Sequence, residues 1–231
     1  MSEEFLGDPA EETVECACPY CGQRVAFQKA FIDRPADCPY CNAILMVPLT
    51  SAQPATKFPL PIKSPRLVLR AVRELDNLDL MDLEGMDAEQ VELWTKPDLM
   101  NQFLYAGGRL PLIIQLQDEK PVIGTATLSY FGQFYDDRAV RRQAGFELTI
   151  DPRFKAQGYE VEAIRAIQDF GFNGLHLHRL TATCDGDAAE YRKILEEAGL
   201  RFEGLFYKDR FGADTWLDTA YYAILADEFV K

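Results

Sequence analysis

The spacing of apolar residues divides the chain into three parts. Residues 1–50 carry most of the cysteines, and residues 51–63 contain several prolines and show no amphipathic period. From residue 64 to residue 231, apolar positions recur at the two-residue period of strands or at the helical period of about 3.6 residues. The pattern therefore predicts a small cysteine-rich module at 1–50, a proline-rich linker at 51–63 and a mixed α/β domain at 64–231.

Strands are predicted in the third part wherever apolar residues alternate or run together over a short stretch. In chain order they cover residues 66–72, 112–117, 122–130, 144–150, 180–183, 202–208 and 216–225. Residues 118–120 have the composition of a turn, so the second and third strands should form a hairpin. The strand at 144–150 places Phe146 and Leu148 on an apolar face and Glu147 on the opposite face.

Helical spacing of apolar residues predicts three helical regions. Residues 74–105 should form short helices separated by turns, and residues 161–170 should form a helix apolar enough to pack on the sheet. The last helix is predicted to begin at Asp187, which has the spacing of a capping box with Glu190. Gly199 is placed to end that helix in a left-handed conformation.

The distribution of charge argues against a nucleic-acid-binding protein. The formal charge is -13; residues 1–50 contain 3 basic and 8 acidic residues, and residues 64–231 contain 19 basic and 29 acidic residues. Neither part is built to neutralise a phosphate backbone. Long-range steering favours a cationic partner, such as an amine or a basic peptide segment; acidity that only keeps the protein soluble is the alternative.

Features of membrane or secreted proteins are lacking in the sequence. No apolar stretch approaches the roughly 20 residues that span a bilayer, and residues 1–4 are acidic where a secretory signal is basic. Five of the six cysteines crowd the first fifth of the chain, a distribution that suits reduced metal ligands better than disulfides. We therefore expect a soluble, cytoplasmic protein.

The clustered cysteines form two copies of one motif. Cys18-Pro-Tyr-Cys21 and Cys38-Pro-Tyr-Cys41 are separated by 16 residues, a spacing typical of a zinc ribbon with four thiolate ligands. Four thiolates close the coordination sphere, so the metal should be structural and not catalytic. Cys16 is an alternative to Cys18 as ligand, although it lacks the two-residue gap of the motif.

Residues 145–163, GFELTIDPRFKAQGYEVEA, resemble the strand, pyrophosphate loop and helix of GNAT-superfamily acyltransferases. The resemblance extends in order over about residues 64–231 and is closest to the branch that acetylates ribosomal-protein amino termini. The further matching segments are Arg66 to Arg70, Phe172 to Arg179, Leu195 to Gly199 and Phe202 to Gly204.

This resemblance implies the α/β (α+β) GNAT acyltransferase fold, a mixed, splayed sheet flanked by helices, with acetyl-CoA in the opening. In the family, backbone N–H groups of the loop that follows the fourth strand bind the pyrophosphate, helped by the next helix dipole. The residues implied to contact the cofactor here are Leu148, Ile150, Arg153, Phe154, Lys155, Ala156, Gln157, Gly158 and Tyr159.

The chain departs from the family pattern at several positions that face the cofactor in relatives. Ala156 replaces the first glycine of the loop, where a Cβ crowds the phosphate or opposes a positive φ. Glu160 and Val161 replace a small residue and a threonine, and the new carboxylate should repel a nearby phosphate. In the next helix, Ala188 and Tyr191 stand where the branch has Asn and Ser.

Candidate catalytic residues follow from the chemistry of the family, in which an amine attacks the acetyl thioester. Glu147 is the first candidate for the general base, with a solvated or ion-paired carboxylate as the alternative. Tyr191 is a candidate acid for the departing thiolate, although its helical position favours a packed core tyrosine. His176 and His178 have no carboxylate at readable spacing and are interpreted as structural.

Two functions therefore compete at the level of sequence. The first is an acetyl-CoA-dependent N-acetyltransferase that acts on an amine, with a protein amino terminus as one candidate acceptor. The second is a catalytically inactive interaction protein that keeps the acyltransferase fold. In both, the zinc ribbon is an accessory module that docks a protein partner or stabilises the chain.

Overall fold

The fold was analysed in a computed structural model, which describes residues 13–32, 35–41, 43–73, 76–83, 86–95, 109–117, 121–130, 142–212 and 214–229. The chain divides into two compact units, Met1–Pro59 and Leu60–Lys231. The division falls within the segment 51–63. No helix in the described residues is long and apolar enough to cross a membrane.

The first unit contains two small antiparallel sheets. β1 (Thr13–Ala17) pairs with β2 (Arg24–Gln28), and β4 (Ile44–Met46) pairs with both β3 (Pro35–Asp37) and β5 (Thr56–Lys57). The first unit has a small core, which consists of Val14, Cys16, Cys18, Val25, Phe27, Ala36, Cys38, Leu45, Val47 and Ala55. A core of this size leaves the unit dependent on additional cross-links.

The second unit is built on one sheet of eight strands in the order β12-β13-β11-β10-β9-β8-β7-β6. These strands are β6 (Ile62–Lys63), β7 (Leu67–Ala71), β8 (Arg109–Leu116), β9 (Val122–Tyr130), β10 (Gln143–Ile150), β11 (Arg179–Asp185), β12 (Arg201–Gly212) and β13 (Thr215–Leu225). Every neighbouring pair is antiparallel except β10 and β11.

The one parallel pair separates halfway along its length. β10 and β11 are in register only from Gln143 opposite Arg179 to Phe146 opposite Ala182. Beyond that point, Glu147 to Ile150 pair with β9 alone. The free edge of β10 therefore opens the middle of the sheet, as expected from the resemblance to the splayed GNAT fold.

Two helices follow β7, near the edge of the sheet, and two follow its central strands β10 and β11. They are α1 (Asn77–Met81), α2 (Ala88–Thr95), α3 (Tyr159–Asp169) and α4 (Ala189–Glu197). α3 follows β10 and buries Ala163, Ile164 and Ile167, and it continues into a π-helical turn at Phe170–Gly174. α4 follows β11 and ends before Gly199, which has a φ of 96°.

All seven strands and both later helices that the sequence predicts for residues 64–231 are present, in the predicted order. The turn at 118–120 and much of 74–105 lie outside the described residues. The predicted capping box at Asp187 is wrong, because α4 has Ala188 as its N-cap and no side-chain capping bond. The backbone oxygen of Asp187, and not its carboxylate, accepts the Ala189 N–H at 2.7 Å.

Glu162 joins α3 to the segment that leads into β7. Its carboxylate accepts hydrogen bonds from Ser64 Oγ (2.7 Å), the Arg66 backbone N–H (2.8 Å) and Arg66 Nε (2.6 Å). Burial alone raises the pKa of the Glu162 carboxyl, but these donors outweigh it and hold the pKa below its usual value. The carboxylate thus fixes α3, and the loop before it, against the edge of the sheet.

Replacing Glu162 with glutamine should lower the free energy of unfolding at pH 7 by about 1.5–3 kcal/mol, because charge-assisted hydrogen bonds become neutral ones. The difference in the free energy of unfolding between wild type and E162Q is fully present above the pKa of the carboxyl in the unfolded chain, about 4.3. It should vanish as the pH falls through the lower pKa of the folded state.

Urea unfolding of both proteins at neutral and acidic pH measures this difference. E197Q removes an exposed carboxylate from α4 and should change the free energy of unfolding by less than about 0.5 kcal/mol. A difference between wild type and E162Q that persists undiminished in acid would contradict this assignment.

Candidate functional site

The four cysteines of the two knuckles converge on one point. Their sulfur atoms all lie within 4.8 Å of one another, with Cys18 and Cys41 at 3.8 Å and Cys21 and Cys38 at 3.7 Å. Four sulfurs about 2.3 Å from a central zinc ion lie about 3.8 Å apart in a tetrahedron. The donor set and its spacing therefore fit zinc.

Backbone hydrogen bonds shape each knuckle in the same way. The Cys18 N–H donates to the Gln23 oxygen at 2.9 Å, and the Cys38 N–H donates to the Ala43 oxygen at 3.0 Å. Gly22 closes the first turn with a φ of 77°, a positive value that glycine adopts without steric cost. One sulfur of each knuckle is thereby buried and the other is exposed.

Cys16, the alternative ligand, lies outside the sulfur cluster. It is buried in the core of the first unit, where its position on β1 alternates with exposed neighbours. Burial raises the pKa of the Cys16 thiol, and the nearby Cys18 and Cys38 raise it further. Cys16 is therefore a neutral packing residue in this arrangement.

A groove of about 870 Å³ lies in the second unit where β10 and β11 separate. Its walls are residues 148–150 at the free end of β10 and residues 187–191, 193 and 194, around the first turns of α4. Its end is formed by Lys155 and Ala156 of the loop before α3 and by Glu160 in the first turn of α3. The groove thus joins three segments that the resemblance assigns to the cofactor.

The loop from 153 to 158 is held at its first residue, Arg153. The Asp151 carboxylate accepts from the Arg153 backbone N–H at 2.9 Å and pairs with Arg153 Nε at 2.8 Å. The Arg153 guanidinium also reaches the Asp82 carboxylate at 3.1 Å. Arg153 is therefore occupied with the protein's own carboxylates and does not line the groove.

Ala156 adopts a left-handed backbone conformation with a φ of 60°. Gly158, the N-cap of α3, does so as well, with a φ of 77°. An L-amino acid pays about 1–2 kcal/mol for this conformation, whereas glycine adopts it freely. Ala156 therefore holds this turn under strain.

Glu160 is the most unusual charge in the groove. It lies in the first turn of α3 and only 7% of the residue is exposed. Among the residues that the structure describes, none donates a hydrogen bond to its carboxylate or pairs with it as a cation. The Glu160 carboxylate oxygens are not among the fully buried polar atoms that lack a hydrogen-bond partner. They are therefore accessible from the groove that the residue lines.

Tyr191 is half-buried and lines the groove. Burial raises the pKa of the Tyr191 hydroxyl well above its usual value, and Cys184, Glu147 and Glu160 raise it further. The hydroxyl therefore keeps its proton at neutral pH. Glu147, the other catalytic candidate, is exposed and is not among the residues that line the groove.

The other residues implied to contact cofactor are placed differently. Leu148, Ile150, Lys155 and Ala156 line the groove, while Phe154 and Gln157 do not. The Gln157 backbone oxygen accepts from Arg66 at 2.9 Å, and the Arg66 guanidinium stacks on the Tyr159 ring at 4.4 Å. Gly158 borders a separate cavity of about 530 Å³.

His176 and His178 are exposed and lie outside the groove.

Sequence reasoning did not single out Lys193 and Cys184 near this groove. Lys193 lines it with Lys155, so the lining contains two cations beside the carboxylates of Glu160, Asp187 and Glu190. Cys184 lies near the end of β11 and is close enough to Tyr191 to influence its pKa. The signal that identifies Lys193 is its place four residues after Ala189 and three after Glu190, which also line the groove.

Comparisons with known proteins agree with this geometry. Residues 66–201 match the family model of the acetyltransferase (GNAT) domain. Over 122 residues, the chain is 33% identical to the uncharacterized N-acetyltransferase YnaD of Bacillus subtilis. That alignment covers 52% of this chain and 66% of the length of YnaD.

Solved structures show the same fold in the second unit. Mycobacterium smegmatis RimJ in complex with CoA-disulfide is 23% identical, with a TM-score of 0.58 over 71% of this chain and 84% of RimJ. The spermidine/spermine N-acetyltransferase SpeG of Vibrio cholerae is 21% identical, with a TM-score of 0.57 over 71% of this chain and 94% of SpeG.

The strain at Ala156 gives a testable consequence for stability. A156G should raise the free energy of unfolding by up to about 1 kcal/mol, because relief of the left-handed strain exceeds glycine's extra freedom in the unfolded chain. The matched variant A189G, in the first turn of α4, should lower it by up to about 1 kcal/mol. Urea unfolding measures both, and equal destabilisation by the two variants would contradict the strain.

Proposed function

The chain belongs to the GNAT acetyltransferase family, and we propose that it is an acetyl-CoA-dependent N-acetyltransferase that transfers an acetyl group to an amine. The observation that carries this proposal is the groove at the separation of β10 and β11. The whole groove lies within the residues that match the family domain. Its walls combine an open strand edge with a helix N-terminus, which suits a long ligand with an anionic end.

Individual segments of the groove suit individual parts of acetyl-CoA. The free edge of β10 offers backbone N–H and C=O groups from residues 147–150 to the amides of the pantetheine arm. Lys155 and the first N–H groups of α3 suit the pyrophosphate, because they carry positive charge and unpaired donors. Apolar contact comes from Leu148 and Ile150.

The transfer itself requires one proton acceptor and one proton donor. A neutral amine attacks the thioester carbonyl, the new N–C bond forms, and the C–S bond breaks to release a thiolate. Glu147 is proposed to accept the proton that the amine loses. Tyr191 is proposed to give its hydroxyl proton to the thiolate; the hydroxyl is protonated at neutral pH, although its raised pKa makes it a weaker acid than a free tyrosine.

The acceptor is proposed to be an amine of basic character, with a protein amino terminus as the first candidate. The excess of acidic over basic residues in 64–231 favours the approach of cations. SpeG, one of the structural neighbours, acetylates spermidine and spermine, so a polyamine is the second candidate. Thiol release with spermidine, with a free peptide and with an amino-terminally blocked peptide distinguishes these acceptors.

We also propose that the first unit binds one structural zinc ion through Cys18, Cys21, Cys38 and Cys41. The convergence of the four sulfurs supports this proposal. A closed thiolate site leaves no position for a catalytic water, so the ion would supply folding energy to a unit with a small core. The ribbon would then serve as an accessory docking or stabilising module.

A catalytically inactive protein with the same fold is the second candidate function. Two observations favour it, namely the strained Ala156 in the loop and the buried carboxylate of Glu160 in the groove. Both would weaken cofactor binding. An affinity measurement therefore separates the two functions.

Isothermal titration with acetyl-CoA should show micromolar binding to the wild-type chain. E160Q should bind roughly tenfold more tightly, because it removes a charge that repels the phosphates but keeps the shape of the side chain. A156G should also bind more tightly, because its loop adapts to the ligand without strain. E89Q removes a first-turn glutamate from α2, away from the groove, and should leave the affinity unchanged.

The titration has two outcomes that count against these proposals. Absence of wild-type binding up to millimolar acetyl-CoA would reject the enzyme and leave the inactive protein. Micromolar binding by wild type that neither E160Q nor A156G improves would keep the enzyme and reject the proposed roles of these two residues.

Metal analysis of the purified chain should find one zinc ion per molecule. C38A should lose the ion, because three thiolates bind zinc far less tightly than four. C16A is the matched control and should retain one zinc ion, since Cys16 lies outside the sulfur cluster. Zinc retained by C38A, or lost by C16A, would show that the ligands are assigned wrongly.

A further inference from the structure

One wall of the groove begins at a helix end that no side chain caps. This α4 wall comprises residues 187–191, 193 and 194. The N-cap of α4 is Ala188, which makes no side-chain capping bond. Helix ends without a cap leave backbone groups unpaired and open more readily than capped ends. The position of the α4 wall therefore depends on contacts from elsewhere in the fold.

Arg192 supplies such a contact by reaching back to the residue that precedes the wall. Its Nη1 donates to the Gly186 backbone oxygen at 3.1 Å, and its Nε donates to the Tyr222 hydroxyl at 2.9 Å. The guanidinium lies over the ring of Phe202, 5.1 Å from the ring centroid. One side chain thus ties the start of the α4 wall to β12 and β13.

Tyr222, the anchor on β13, is deeply buried and has little freedom to move. It is 1% exposed, and its ring packs edge-on against Phe202 with ring centroids 5.5 Å apart. Its hydroxyl donates to the Glu196 carboxylate at 3.0 Å, one turn beyond Arg192 on α4. A side chain enclosed in this way holds a fixed position, so the Arg192 guanidinium is bonded to a rigid point.

Gly186, the other acceptor, is packed closely against the same two strands. Its N–H donates to the Asp218 backbone oxygen at 2.9 Å. A Cβ on Gly186 would lie 2.9 Å from both Asp218 Cβ and Leu205 Cδ1, closer than carbon atoms normally pack. The N–H and the C=O of Gly186 are thus bonded to two different elements. The chain therefore enters the α4 wall from a fixed position.

The direction of Arg192 also determines the direction of its neighbours on α4. Tyr191 and Lys193 line the groove, whereas Arg192 does not. Adjacent residues of a helix lie about 100° apart around its axis. The bonds of Arg192 to the strands therefore fix the rotation of α4, and with it the sides to which Tyr191 and Lys193 point.

We propose that Arg192 is a positioning residue, which holds the α4 wall in the arrangement that binds acetyl-CoA. The identity of the ligand rests on the proposed function, but the anchoring of the wall can be measured without a ligand. Arg192 acts through Gly186 and Tyr222 and not through its charge. Two separate nitrogen atoms of one planar guanidinium are required to reach both acceptors at once.

Amide hydrogen exchange of the ligand-free chain tests the anchoring alone. R192M keeps an unbranched apolar stem but loses both hydrogen bonds. Exchange should become at least about tenfold faster, the equivalent of one lost bond to a charged group. R192K has one nitrogen atom for two acceptors and should change exchange in the same direction. The reporting amides are hydrogen-bonded within the wall or beside it: Gly186, Ala188 and Ala189.

R165M is the matched control for the loss of an arginine that bonds α4. Arg165 donates from α3 to the Glu197 backbone oxygen at 3.0 Å, at the opposite end of α4 from the wall. R165M should leave exchange at residues 186–189 unchanged. Circular dichroism checks that each variant is folded. Equal exchange at these amides in wild type, R192M and R192K would overturn the proposal, whether or not acetyl-CoA binds.

Titration with acetyl-CoA tests whether the anchored wall serves the ligand. R192M and R192K should both bind roughly tenfold more weakly than wild type, because neither keeps the two hydrogen bonds. R165M should bind as tightly as wild type. Wild-type affinity in R192M would overturn the proposal, and wild-type affinity in R192K alone would show that the charge matters and overturn it as well. Absence of binding by wild type would instead reject the proposed function, and hydrogen exchange would still decide whether Arg192 anchors the wall.

Discussion

The parallel pairing of β10 with β11 stops at Phe146 and Ala182, and the arrangement of the second unit depends on that break. A strand that continues with one free edge exposes backbone donors and acceptors in the middle of a sheet, where they must find partners. α3 and α4 follow the two separating strands and enclose the space between them as a groove. The opening thus creates both a demand for hydrogen bonds and a place for a ligand to meet it.

The groove also contains features that oppose an anionic ligand. Ala156 keeps a left-handed turn at an energetic cost, and Glu160 brings a carboxylate to the helix end that would otherwise attract phosphate. Lys155 and Lys193 act in the other direction. The balance between two lysines and a buried carboxylate sets the affinity of the site, so the same fold can host a working enzyme or an inactive relative.

The sequence predicted the order of the strands well because alternating apolar residues survive in any half-buried strand. It also indicated which four cysteines converge, because two Cys-Pro-Tyr-Cys motifs leave little freedom in how four sulfurs meet. It failed at Asp187, where the backbone oxygen replaces the expected capping carboxylate. It left Tyr191 open between a candidate acid and a packed core residue, because an apolar helical position looks the same whether it faces a core or a groove. The burial of Glu160 depends on three segments that meet only in the folded chain, so periodicity along one helix could not show it.

The central claim is that the opening beside β10 receives acetyl-CoA, and amide hydrogen exchange tests it most directly. Backbone amides in a free strand edge and at a helix N-terminus exchange readily until a ligand covers them. With saturating acetyl-CoA, peptides that cover residues 147–160 and 187–194 should gain protection, while those from 13–59 should not. Protection confined to other segments, or its absence throughout at a concentration that saturates a known acetyl-CoA enzyme, would contradict the account.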